Sequence, residues 1–136
     1  RSLADDPTRV LRAARYAARL GFSLDAGFAA AMQHAVAAGA FGTISGDRLR
    51  RALEEVLSEE NPHVALDLLL RLGVPAAIVP GWEGAHFPSP GETTTTASVP
   101  DRWRRLLAPA PEALRAQVAR RLAFSRALRA AAGCGR

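Results

Sequence analysis

The residues whose spacing carries chemistry lie near the start of the chain, in Asp5-Asp6-Pro7-Thr8-Arg9-Val10-Leu11-Arg12-Ala13-Ala14-Arg15-Tyr16-Ala17-Ala18-Arg19-Leu20-Gly21-Phe22. At about 100° per residue, Arg9, Arg12, Arg15 and Arg19 share an arc opposite a stripe of Val10, Ala14 and Ala17. Such an arc can meet phosphates or simply face water, and composition alone leaves both readings open. Other chemistries lack their residues. His34, His63 and His86 have no partner at a spacing that sets two metal ligands on one helical face. There is no D-x-D to hold two magnesium ions and no Gly-rich phosphate loop. Cys134, the single cysteine, builds neither a disulfide framework nor a cysteine-rich zinc site, and fits a reducing, cytoplasmic setting.

The elements that must position these residues read as helices. Asp6 before Pro7 predicts an N-cap with Pro at the first helical position, and the apolar spacing of Val10, Ala13, Ala14, Ala17 and Leu20 carries a helix over 7–20 to its stop at Gly21. Phe28, Met32 and Val36 predict a second helix over 25–38. Ser45 caps a third over 46–58 through Leu49, Leu53, Val56 and Leu57, and Asn61-Pro62 opens a fourth through Leu66, Leu69 and Leu70 that stops at Gly73. A short turn of helix fits 74–79. Pro88, Pro90 and Pro100 with Thr93 to Thr96 make 81–100 a loop. Further helices are expected at 101–108 and 111–131. No alternating strand pattern of useful length occurs, so the expected class is all-α, an irregular bundle of six to seven helices.

A chain of 136 residues with 49% hydrophobic residues can form one compact domain or a piece of a larger one. Its apolar runs are too short to span a membrane. It opens with Arg1-Ser2-Leu3, without an initiator Met, and reads as cut from something longer. The net charge is +5, with 9 Arg against 11 acids in residues 1–100 and 9 Arg against 2 acids in residues 101–136. Every basic residue is Arg and none is Lys. Codon bias therefore explains the arginine count as well as phosphate binding does.

Asp5-Asp6-Pro7-Thr8-Arg9, with Arg12, Arg15, Tyr16 and Arg19-Leu20-Gly21-Phe22, resembles the E-D-x-x-R motif and following helix of class II tRNA nucleotidyltransferases, the family of CCA-adding enzymes and bacterial poly(A) polymerases. Ser45-Gly46-Asp47-Arg48-Leu49-Arg50, with Leu53 and Leu57, resembles the next motif, S-x-E-R-I-x-x-E-L. Asn61-Pro62, Leu72-Gly73-Val74 and Pro80-Gly81-Trp82 resemble the helical body. The likeness is dense over 2–82 and loose over 102–130. Asp5 stands where the family usually has Glu, a conservative departure. Ala52 stands where the second motif usually has Glu, which puts that motif's anchoring role in doubt.

The resemblance implies a neck-and-body region over 1–80, a Pro/Gly/Thr-rich loop over 81–100 and Arg-rich helices over 101–136. It implies that Asp6 and Arg9, with Asp5 beside them, read the base of an incoming nucleotide. The chemistry suits that role. Adenine and cytosine present a donor amine beside an acceptor nitrogen, so a carboxylate that accepts and a guanidinium that donates, three residues apart on one helix, can pair with A or C and reject G or U. The same residues have ordinary uses, Asp6 as an N-cap and Arg9 as a surface charge. Arg12, one turn on, can meet the triphosphate or the primer end, or face water. Arg48 and its neighbours Arg50 and Arg51 can line an RNA groove or balance Glu54, Glu55, Glu59 and Glu60. Arg102, Arg104, Arg105, Arg120 and Arg121 are candidates for the phosphates of a tRNA.

In the family the metal carboxylates and a ribose-reading Arg-Arg-Asp motif lie upstream, in a β-sheet head. The expectation is therefore a chain with no catalytic or metal-ligating residue and no cofactor of its own, inactive alone, whose parent uses magnesium in the head to add A from ATP, with CTP as second candidate, to the 3′ end of tRNA or another RNA. The alternatives are a free-standing helical RNA-binding module and a structural scaffold.

Overall fold

The computed structural model describes residues 6–21, 25–88 and 98–134. The apolar stripe of the first helix, α1 (Thr8–Leu20), buries Val10, Leu11, Ala14 and Ala17, and Gly21 ends it in the left-handed region at φ 71°, donating its N–H to the Ala17 carbonyl. Leu20, expected in that stripe, is 66% exposed. Asp25 caps α2 (Ala26–Ala37) by accepting from the Gly27 amide at 2.9 Å, and Met32 and Val36 are buried. Phe28, at the start of α2, stays 38% exposed.

A 3-10 turn over Ala40–Thr43 leads to α3 (Gly46–Leu57), capped as expected by Ser45, whose hydroxyl accepts from the Arg48 amide at 3.2 Å. Gly46 is required there. A Cβ at this position would lie 2.0 Å from the Arg121 carbonyl oxygen, so only glycine lets α3 begin against that distant backbone. α4 (Pro62–Arg71) and the single-turn α5 (Val74–Ile78) follow, joined through Gly73 at φ 79°.

A second 3-10 turn lies at Gly84–His86, inside the stretch expected to be loop. α6 (Val99–Leu107) begins two residues before the expected start, because the Ser98 hydroxyl accepts from the Asp101 amide and Pro100 occupies the first turn. The helix expected over 111–131 is two helices, α7 (Glu112–Arg121) and α8 (Arg126–Ala132). Ala123 breaks the run at φ 56°, Phe124 turns into the core, and Ser125 caps α8 on the Leu128 amide.

The described residues thus form eight α-helices and two 3-10 turns with no strand, an all-α fold. α1 packs on α3 and α4, α3 meets α6, and α6 packs on α8. One hydrophobic core runs from Val10 of α1 to Cys134. Trp103 of α6 is fully buried, edge-on to Phe124, and its indole N–H donates to Glu54 of α3 at 3.0 Å. Among the described residues no helix is long and apolar enough to cross a membrane.

Candidate functional site

The two ends of α1 are treated differently by the rest of the fold. At its C-terminal end, Arg15 donates Nε to Glu59 at 3.2 Å and Nη1 to Glu55 at 3.1 Å. Arg19 grips the same Glu59 with two bonds, Nε at 3.1 Å and Nη2 at 2.6 Å. The Glu59 side chain is only 9% exposed. The Arg19 hydrogen bonds hold its carboxyl below the ordinary value, against the opposing effect of burial and with help from Arg15. Tyr16 lies beneath both guanidiniums, each 5.7 Å from its ring centroid. Arg15, Arg19, Glu55 and Glu59 flank a cleft of about 430 Å³.

At the N-terminal end, the Asp6 carboxylate accepts from the Thr8 hydroxyl and pairs with Arg12 at 3.3 Å and Arg48 at 3.7 Å. The Thr8 hydrogen bond lowers its pKa most, desolvation opposes it, and Arg12 and Arg48 add to the lowering. The expectation that the Asp6 side chain caps α1 is corrected. The position before the helix is Pro7, with no side-chain cap, and the Asp6 carboxylate is turned instead to Thr8 and the two arginines. Arg9 is half-buried and makes no ion pair among the described residues. Asp5 lies outside the described residues.

The arc of four arginines is therefore not one surface. Arg15 and Arg19 are committed to the fold, Arg12 pairs with its own helix start, and Arg9 has no charged partner among the described residues. Glu59 was not among the expected site residues, although it decides this division. Its only signal in the sequence is an acid left over after the α3 charges are matched, with partners 40 residues or more away.

The α3 arginines balance charge mostly within α3: Arg50 pairs with Asp47 at 2.7 Å and Glu54 at 3.5 Å, and Arg51 with Asp47 at 3.0 Å. Arg48 is exposed and leans toward Asp6. Arg102 is corrected as a phosphate contact. It is 8% exposed and donates to the Leu57 carbonyl at the end of α3, so it joins α6 to α3. Arg121 donates to the carbonyls of Phe41 and Ile44. Arg104, Arg105 and Arg120 are exposed. Among the described residues no three His, Cys, Asp or Glu side chains converge as metal ligands would.

No family model matches the sequence. The chain is 37% identical over 82 residues to the CCA-adding enzyme of Marinobacter nauticus, a match covering 58% of this chain and 22% of that protein. It is also 37% identical over 82 residues to the multifunctional CCA protein of Haemophilus ducreyi, covering 58% of this chain and 20% of that protein. The chain spans about a fifth of the length of these curated relatives. Its fold is similar to that of a CCA-adding enzyme solved with ATP, at TM-score 0.71 and 23% identity, over 93% of this chain and 33% of the other. It is similar to the Thermotoga maritima CCA-adding enzyme solved with tRNA, at TM-score 0.70 and 22% identity, over 93% of this chain and 34% of the other.

Proposed function

Because the chain belongs to the tRNA nucleotidyltransferase family, as a region of it, we propose that it is the nucleotide-selecting and RNA-binding helical portion of a protein that adds A, or C, to RNA 3′ ends. The observation that carries this reading is the asymmetry of α1. Its C-terminal end is locked by Glu59, while its N-terminal end presents a carboxylate and an uncommitted guanidinium three residues apart.

In this reading Asp6 accepts from the exocyclic amine of adenine or cytosine and Arg9 donates to the neighbouring ring nitrogen. Asp6 first gives up Arg12, and Arg12 turns to the triphosphate, whose charge competes for the guanidinium. Arg48, released from Asp6 in the same step, stays beside the nucleotide. Exposed Arg104, Arg105 and Arg120 meet RNA phosphates.

Nucleotide transfer needs magnesium to polarise the phosphate, and among the described residues no three His, Cys, Asp or Glu side chains converge to hold such an ion. Asp6, Asp47, Glu54, Glu55, Glu59, Asp67 and Asp101 pair with arginines instead. The metal therefore belongs to a head domain of the parent protein, and the parent acts in the cytoplasm, where tRNA is matured.

The test is tRNA binding and nucleotide addition by the purified chain. Expected are an affinity that falls with salt by about one logarithmic unit of slope per phosphate contact, and no incorporation of labelled ATP with any divalent metal. Salt-insensitive association, or measurable incorporation, would contradict the reading.

A further inference from the structure

A cleft of about 550 Å³ opens where the end of α5 faces α7, away from the residues of the α1 site. Ile78, Val79 and Pro80 line one side, and Gln117, Arg120 and Arg121 the other. The apolar wall comes from α5 and its exit, the amide and guanidiniums from α7, and no lining residue is acidic. Arg121 is fixed in place by its bonds to the Phe41 and Ile44 carbonyls, at 2.8 and 3.0 Å. Arg120 and Gln117 are exposed, and Arg120 has no ion pair among the described residues. The surrounding residues 101–134 carry eight arginines against Asp101 and Glu112, so the field on this side is positive.

Such a lining selects a ligand with a flat apolar face, a hydrogen-bonding edge and a negative charge close to both. An acidic peptide supplies the charge without the face, and an aliphatic acid leaves the Gln117 amide unmatched. A nucleotide supplies all three, and a guanidinium stacks on a base as readily as it meets a phosphate. A volume in the ~300–1,000 Å³ range of small-ligand sites suits one nucleotide and excludes a base still stacked in a duplex.

We propose that this cleft holds one unpaired nucleotide of an RNA strand. Its base lies against Ile78, Val79 and Pro80, its edge on Gln117 and its phosphate on Arg120. The proposal rests on the RNA-binding part of the function proposed above, but it concerns a second site, and the two fail separately.

The experiment titrates the full chain with a fluorescein-labelled single-stranded hexaribonucleotide, following affinity by anisotropy and backbone amides by NMR. The amides of Ile78, Val79 and Gln117 should move. Arg120→Ala should weaken binding about tenfold and lower the slope of log K against log salt by about 0.7. Gln117→Ala should weaken it about threefold without changing the slope. Both side chains are exposed, and circular dichroism confirms that the variants fold. A duplex of the same sequence should leave Ile78 and Val79 unmoved. If the hexamer binds while both variants keep wild-type affinity and the Ile78 amide stays still, the cleft assignment is overturned and the RNA-binding reading stands. If no RNA binds, both are overturned. If inorganic tripolyphosphate moves Ile78 and Val79 as far as the hexamer does, the base has no place there and the proposal is overturned.

Discussion

The two halves of α1 are built from the same residue type, one helical turn apart in each half, yet they do opposite things. Arg15 and Arg19 face Glu59, a carboxylate with little solvent to compete for it, and become part of the scaffold. Arg9 and Arg12 face the open end of the helix, where the acid among the described residues is a partly exposed Asp6 shared among Thr8, Arg12 and Arg48. A guanidinium's role is decided by what stands opposite it. Ion pairs out of water persist, whereas pairs in water are worth little and exchange readily. The locked end fixes the direction of the helix, and the open end can trade partners without cost to the fold.

Breaking the lock should have the largest effect. Glu59→Ala leaves the part-buried Arg15 with Glu55 alone and removes both bonds from Arg19. It should cost about 2 kcal/mol of stability, below the range for fully buried pairs because Arg19 reaches solvent. Urea unfolding measures it, and a change within 0.5 kcal/mol would place the anchor of α1 in its apolar stripe alone.

Glu59→Gln sharpens the same point through pH. The folded carboxyl titrates below its ordinary value of 4.5. Its contribution is therefore complete above that value and lost as pH falls through the lower, folded pKa. As pH falls below the ordinary value of 4.5 the wild type should lose stability more steeply than Glu59→Gln. Parallel curves would mean that the charge on Glu59 is not what holds the arginines.

The open end should respond less. Asp6→Asn removes an exposed pair and should cost about 0.5 kcal/mol; a loss as large as that of Glu59→Ala would show that both ends are structural. Arg9→Ala should change stability least, within about 0.5 kcal/mol, since no described acid depends on it.

Much of this architecture is legible in the sequence, because capping and period act locally. Ser45 and Gly73 mark their boundaries where the structure has them. The stretch 111–131 misled because Leu114, Val118, Leu122 and Ala-rich spacing continue the helical period across Ala123, while Phe124, drawn into the core against Trp103, forces the left-handed turn. Tertiary packing overrode a local pattern there. The candidate residues could be picked out by motif, but their wiring could not. Asp6 and Arg9 are conspicuous by motif, whereas the commitment of Arg15 and Arg19 depends on a partner 44 and 40 residues away, and that pairing exists only once α1 has packed against the end of α3. Arg102 illustrates the same limit: an arginine in a basic run looks available until the Leu57 carbonyl takes it out of solvent.

Amide shifts of the wild-type chain and Arg9→Ala, recorded with ATP, CTP, GTP and UTP at matched concentration, separate a base-reading helix end from a merely charged one. Binding should be weak, since a base-edge pair supplies only about 1–3 kcal/mol of discrimination. In the wild type, ATP and CTP should move the amides of residues 6–12 further than GTP and UTP, and Arg9→Ala should erase that preference while keeping the spectrum of a folded chain. Equal shifts from all four nucleotides in the wild type would show that α1 offers charge without selection, and Asp6 and Arg9 would then have no part in choosing the base.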